Sequence, residues 1–170
     1  MPLVHTAVRK VVMLGDPVLR AETRRLSPAE IRLPEIQRLI EEMAVTMEAY
    51  EGVGIAANQV GEGLSLFLMG LKPGSERWRE GIDLTVVFNP EMKFLGQETE
   101  WDWEGCLSAP GLRGKVERHT RLELEGLDRE GKPFRRTYEG FPARVIQHET
   151  DHLMGKVYLD RMKDLTTLAY

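Results

Sequence analysis

Between Leu33 and Tyr50 the apolar residues Ile36, Leu39, Ile40, Met43, Ala44, Met47 and Tyr50 recur at helical spacing, and Glu35, Gln37, Arg38, Glu41, Glu42 and Glu48 fill the remaining positions. This pattern predicts an amphipathic helix of about four turns. Just before it, Ser27-Pro28-Ala29-Glu30 has the form of a capping box with proline at the first helical position, which predicts a short helical turn ahead of Pro34. After Tyr50 the period changes. Gly52, Gly54, Gly61 and Gly63 interrupt a run of small residues, and short strand-like segments follow. Leu64 to Met69 and Leu84 to Phe88 are mostly apolar and read as buried strands. Glu98 to Trp103 alternates polar and aromatic residues, and Arg121 to Leu127 alternates cleanly. Asp128 to Gly131 predicts the turn of a hairpin to Lys132–Tyr138. A second helix is expected over Phe141 to Met154, with Pro142 in its first turn and Gly155 to end it. Strands that follow one another without intervening helices point to antiparallel pairing. The predicted fold class is α+β: small antiparallel sheets around a late central helix, with an earlier amphipathic helix.

Composition narrows the class without changing this picture. The chain has 170 residues, a length that suits one domain spanning 1–170. Apolar residues make up 42% and charged residues 29%, so disorder is excluded. A net charge of −4 excludes a basic footprint over the whole surface, and with it DNA as a partner. The single cysteine allows no internal disulfide. No apolar stretch is long enough to span a bilayer, and the segment MPLVHTAVRKVVML does not read as a secretion signal. A local basic cluster (Arg113, Lys115, Arg118, His119, Arg121) admits ribosomal RNA as a partner, although alternation on a strand favours a solvated face. Lys72 to Asp83, charged and carrying Pro73-Gly74, reads as a loop. No pattern encodes an oligomeric state.

Three segments carry candidate chemistry. The first is His148-Glu149-Thr150-Asp151-His152, an HExxH pattern. Residues i and i+4 share a helix face, so both imidazoles reach one metal ion, while Glu149 projects aside toward a bound water. A catalytic divalent site usually has three protein ligands. Asp160, Asp164, His5, His119 and Cys106 all remain open as the third. The second segment is Glu104-Gly105-Cys106-Leu107-Ser108. A lone cysteine is more often a small buried hydrophobe than a ligand; a nucleophile and a thiolate ligand suited to zinc or ferrous iron are the functional readings. The third is Gly52-Val53-Gly54-Ile55-Ala56-Ala57-Asn58-Gln59, where glycines allow close backbone approach and Gln59 offers an amide to a developing oxyanion. A phosphate loop is disfavoured there, because no Lys-Ser/Thr follows. A general HExxH metallopeptidase and a metal-stabilised binding module are the alternatives to a more specific hydrolase.

Together, in this order, GVGIAANQ, EGCLS and HETDH resemble the three motifs of the peptide deformylases, and Leu14–Arg20 resembles their N-terminal segment. The resemblance spans about residues 10 to 162. It implies that Cys106, His148 and His152 bind one divalent metal, natively ferrous iron (Fe2+), with nickel (Ni2+), cobalt (Co2+) or zinc (Zn2+) as substitutes. It implies Glu149 as general acid/base, and Gln59 with the Leu107 backbone N–H as the oxyanion hole. The substrate would be the formyl group of an N-formyl-methionyl nascent peptide. By motif position, Val53, Gly54, Leu107, Val145 and His148 would line a pocket for the methionine side chain, and Asp151 would meet Arg118. A cytoplasmic, bacterial-type enzyme with transient ribosome contact is implied, though some shorter-tailed relatives are organellar. Two features depart from the family: Thr150 stands where a larger residue is usual, and no strongly periodic C-terminal helix follows.

Overall fold

A computed structural model describes residues 6–170. The N-terminal His5 lies outside them. The order of elements is a 3-10 turn (Pro17–Arg20), α1 (Pro28–Ile31), α2 (Pro34–Ala49), β1 (Gly54–Ala56), a second 3-10 turn (Ala57–Val60), β2 (Leu66–Leu71), β3 (Ile82–Phe94), β4 (Thr99–Cys106), β5 (Ala109–His119), β6 (Arg121–Leu127), β7 (Pro133–Glu139), α3 (Phe141–Leu153), α4 (Tyr158–Arg161) and a last 3-10 turn (Leu165–Thr167). Among the described residues no helix is long and apolar enough to cross a membrane.

The capping box forms as expected. Ser27 Oγ accepts the Glu30 N–H, and Glu30 Oε2 accepts the Ser27 N–H. Pro34 then opens α2 at a position that needs no hydrogen-bond donor.

Strands β1, β2, β3, β6 and β7 form one antiparallel sheet in that order, and β4 pairs with β5 in a separate two-stranded sheet. The apolar run in β2 has a simple cause, since both of its faces are covered. Leu66 and Leu68 pack with Leu39, Ile40, Met43 and Met47 of α2. Phe67 and Met69 point the other way, into a cluster with Val145, Ile146 and Leu153 of α3. Each such side chain contributes roughly 1.5–3 kcal/mol by leaving water. Farther along the sheet only one face is covered. Leu122 and Leu124 of β6 face α3, while Glu123 and Glu125 alternate outward to Arg135. That one-sided burial is why β6 reads as a clean alternation.

The structure extends several expected elements. Leu84–Phe88 is the middle of a 13-residue strand whose outer end pairs with β6, as in Met92 with Leu124. The strand expected from Glu98 runs from Thr99 on to Cys106. The loop expected over Lys72–Asp83 ends earlier, because Ile82 already opens β3, and Trp78 within it packs on the α3 cluster. Strand β1 is only three residues long, too short to show a period. The basic cluster does not form one face. Arg118 turns inward and is 6% exposed, so both the RNA and the solvated-face readings fail for it. His119 stacks on Phe94, with ring centroids 3.8 Å apart.

Helix α3 ends where expected. Gly155 adopts a φ of 72°, a left-handed conformation, and a side chain there would also overlap the Arg20 backbone. The segment beyond it holds only the single turn α4 and a 3-10 turn.

Candidate active site

Three elements converge on one end of α3. The β4–β5 hairpin brings Cys106, α3 brings His148, Glu149 and His152, and the turn after β1 brings Gln59. The candidate ligand atoms of Cys106, His148 and His152 all lie within 4.8 Å of one another. Cys106 Sγ is 3.3 Å from His152 Nε2. Among the described alternatives for a third ligand, Asp160 pairs with Arg20, Asp164 caps the last 3-10 turn and His119 stacks on Phe94.

One imidazole is held from behind through its ring, and the other histidine through its backbone. His148 Nδ1 lies 2.8 Å from Glu104 Oε1. An ionised carboxylate only accepts, so Nδ1 carries the hydrogen and Nε2 is turned to the ligand cluster. The backbone carbonyl of His152 accepts from Asn58 Nδ2 at 2.6 Å. Burial holds the His152 pKa well below its ordinary value, which keeps this ring neutral. Burial also opposes charge on His148, but hydrogen bonds to Cys106 and Glu104 outweigh it and hold its pKa high. A metal bound here would displace that proton. A soft thiolate with two imidazoles is a donor set that zinc and ferrous iron both accept.

Glu104 is the hub of a buried charge network that sequence reading overlooked. It accepts two hydrogen bonds from Arg118, at 2.9 Å each, and one from Arg144 at 2.8 Å. Burial favours its neutral acid, but Arg118 and His148 overcome that and lower its pKa well below the carboxylate range. Arg118 also reaches Asp151 at 2.7 Å, and Arg161 closes on the same carboxylate. The expected meeting of Asp151 with Arg118 is therefore present. Asp151 is 2% exposed, which excludes the reading of it as a solvated helix charge. Arg144 further donates to the Val116 and Glu100 carbonyls. The available signal was a charged residue at an inward helical position, one turn before His148.

Glu149 sits differently. It is buried, and its Oε2 has no protein partner among the described residues. Burial raises its pKa to about 7. The backbone of Gly54 passes so close that a Cβ there would overlap the Glu149 carboxylate, coming 2.9 Å from its Cγ. Only glycine allows this approach. Gln59 is locked by the Ala56 N–H, which donates to Oε1 at 2.9 Å. Its Nε2 therefore faces the cysteine sulfur, 3.5 Å from Cys106 Sγ and 3.1 Å from Ser108 Oγ. A groove of about 850 Å³ opens over these groups and is lined by Val53, Gly54, Leu107, Val145 and His148, among others. Val145 belongs to the α3 core cluster as well, so pocket and core share this residue. Thr150 is buried, and its hydroxyl has no partner among the described residues.

Comparison with known proteins agrees with this geometry. The model of the polypeptide deformylase family matches residues 8–167. Peptide deformylase 1 of Nitrosomonas europaea is 42% identical over 96% of this chain and 92% of its own length. Peptide deformylase 1 of Bordetella pertussis is 40% identical over the same shares. Among solved structures, the Met-Ala-Ser-bound class I type b peptide deformylase of Acinetobacter baumannii superposes with a TM-score of 0.86 at 32% identity, covering 92% of this chain and 99% of that one. The Synechococcus elongatus peptide deformylase in complex with actinonin gives a TM-score of 0.82 at 35% identity, covering 92% and 80%. Because the match takes in both long helices, both sheets and all three motif-bearing segments, the chain belongs to the polypeptide deformylase family.

Proposed function

We propose that this protein is a metal-dependent hydrolase that removes the formyl group from the N-terminal formylmethionine of nascent peptides, releasing formate and a free amine. The observation that carries the reading is the convergence of Cys106, His148 and His152 beneath a groove that also holds a buried carboxylate, Glu149, whose Oε2 has no partner among the described residues. Cys106, His148 and His152 would hold one divalent ion, ferrous iron first and nickel, cobalt or zinc as substitutes. Such an ion supplies Lewis acidity and a water of lowered pKa.

The chain's own groups do the rest. Glu149 takes a proton from the attacking water and returns it to the amine nitrogen as the C–N bond breaks, a role worth about 10²–10⁴-fold in such sites. Its raised pKa suits both halves of that task. The Gln59 amide, held in place by Ala56, donates to the developing oxyanion together with the Leu107 backbone N–H. Val53, Leu107 and Val145 give the methionine side chain an apolar seat, with Gly54 offering backbone hydrogen bonds. Residues 1–170 act as one catalytic domain, in the cytoplasm and in transient contact with the ribosome.

The test is amine release from formyl-Met-Ala-Ser by protein reconstituted anaerobically with iron or nickel, beside an acetyl-Met-Ala-Ser control. Metal-dependent release from the formyl peptide alone is expected. Cleavage of internal bonds, or no release at full metal content, would sink the reading. The relatives described above are all peptide deformylases, which leaves a general metallopeptidase without support.

A further inference from the structure

The groove does not end at a wall. Along β4 it is lined in succession by Cys106, Gly105, Glu104, Trp103 and Asp102, so it runs outward from the metal-ligand cluster in the direction of Thr99. Beyond it, on the same face of the strand, comes Trp101. Both rings are large and exposed, Trp101 at 46% and Trp103 at 41%. Cations surround them. Arg113 and Lys115 lie over the Trp103 ring at 5.0 and 5.5 Å, and Lys163 lies over Trp101 at 5.7 Å. Lys115 is the direct cross-strand partner of Trp103. Among the described residues neither Arg113 nor Lys115 has an acidic partner. The acid on this face, Glu117, is already neutralised by Lys163 at 2.8 Å. Glu100 and Asp102 alternate to the opposite face of the strand from the two rings; Asp102 still lines the groove, as does Glu104, whose charge is taken up by Arg118 and Arg144.

We infer that the peptide-binding surface continues out of the groove over this face of β4 and β5, and that it takes acidic side chains of the substrate downstream of the formylmethionine. This inference rests on the deformylase reading. A strand rises about 3.3 Å per residue, so Trp103 lies roughly 10 Å and Trp101 roughly 17 Å from Cys106 along β4. An extended peptide with its first residue at Cys106 brings about its fourth residue to Trp103 and Lys115, and about its sixth to Trp101 and Lys163. The rings offer apolar contact to the peptide stem. Arg113 and Lys115, with no acidic partner among the described residues, favour carboxylates over ammonium groups, and Lys163, already shared with Glu117, adds less.

The test compares kcat/KM for formyl-Met-Ala-Ser and for formylated heptapeptides whose fourth and sixth residues are both Asp, both Asn or both Lys. At low salt the Asp peptide should exceed the Lys peptide by about three- to tenfold, the sum expected of a few exposed charge contacts, with Asn between. The gap should collapse near ~0.5 M salt, where the Debye length falls below the spacing of the charges. Lys115→Glu should reverse the order and Trp101→Ala should shrink it, both leaving formyl-Met-Ala-Ser unchanged. Equal rates for the Asp and Lys heptapeptides in the unaltered protein would overturn the inference, as would a preference that survives Lys115→Glu. Failure on formyl-Met-Ala-Ser itself would strike the deformylase reading instead, and this inference would fall with it.

Discussion

The two long helices are built from similar patterns and do opposite work. Helix α2 has sixteen residues and buries five, four of them apolar. Helix α3 has thirteen and buries twelve, including Arg144, Gln147, His148, Glu149, Asp151 and His152. Burying an apolar side chain needs only a neighbour of suitable shape, whereas burying a polar one needs a partner with the right atom in the right place. On α3 those partners exist. Arg144 and His148 share Glu104, Asp151 takes two arginines, and Gln147 exchanges hydrogen bonds with the His119 backbone. The side-chain atoms left over are informative: Glu149 Oε2 and His152 Nδ1 lie beside the ligand cluster, and Thr150 Oγ1 marks the departure from the family pattern. A helix that stabilises can be recognised by what it packs on. A helix that holds a reactive site is recognised by the polar atoms its own fold leaves available.

The contrast can be broken at its strongest point by removing one carboxylate from each helix. Glu149→Gln should cut kcat by about 10²–10⁴-fold while metal content and Tm stay near those of the unaltered protein. Glu41→Gln on the exposed face of α2 should leave kcat unchanged. A Glu149→Gln protein lacking metal would show that this residue had been misassigned.

A second pair separates stability from chemistry. Glu104→Ala strands Arg118 and Arg144 without their shared carboxylate and should cost about 3–5 kcal/mol in urea unfolding. It should also weaken metal retention in a chelator competition, because His148 loses the group that orients it. Met43→Ala in α2 should cost about 2–5 kcal/mol through a core cavity, with metal affinity of the folded fraction unchanged.

The smallest effect tests the charge network's outer edge. Burial opposes ionisation of Asp160, but the Val157 N–H and Arg20 overcome it and lower its pKa. A carboxylate with a depressed folded pKa adds stability above its unfolded pKa and loses it as pH falls through the folded value. Arg20→Ala should therefore destabilise modestly at neutral pH, with the difference from the unaltered protein vanishing on acidification below about pH 3. A difference that persists into acid would assign the effect to packing at Arg20.

Local physics made several elements readable in advance. The period of Ile36, Leu39, Ile40, Met43 and Met47 marks α2, the Ser27–Glu30 pair marks its entry turn, and the alternation of Arg121–Leu127 marks a strand with one covered face. These signals are written within a few residues of one another, so no distant partner is needed to interpret them. Strand β5 was harder to delimit, since Gly111, Arg113 and Gly114 have little strand preference, and pairing with β4 holds them extended.

The site divides along the same line. The spacing of His148 and His152 by itself determined that two imidazoles share a helix face, because helical geometry is local. Helical spacing left the third ligand open among aspartate, histidine and cysteine. The motif resemblance pointed to Cys106, more than forty residues earlier, and only the tertiary structure brings its sulfur within 4.8 Å of both imidazoles. It also decided that Glu104 anchors His148 and that Arg118, one of five basic residues in a short stretch, points inward. A charge's partner is set by distance in space and by the water excluded around it, and neither is a property of its neighbours in the chain.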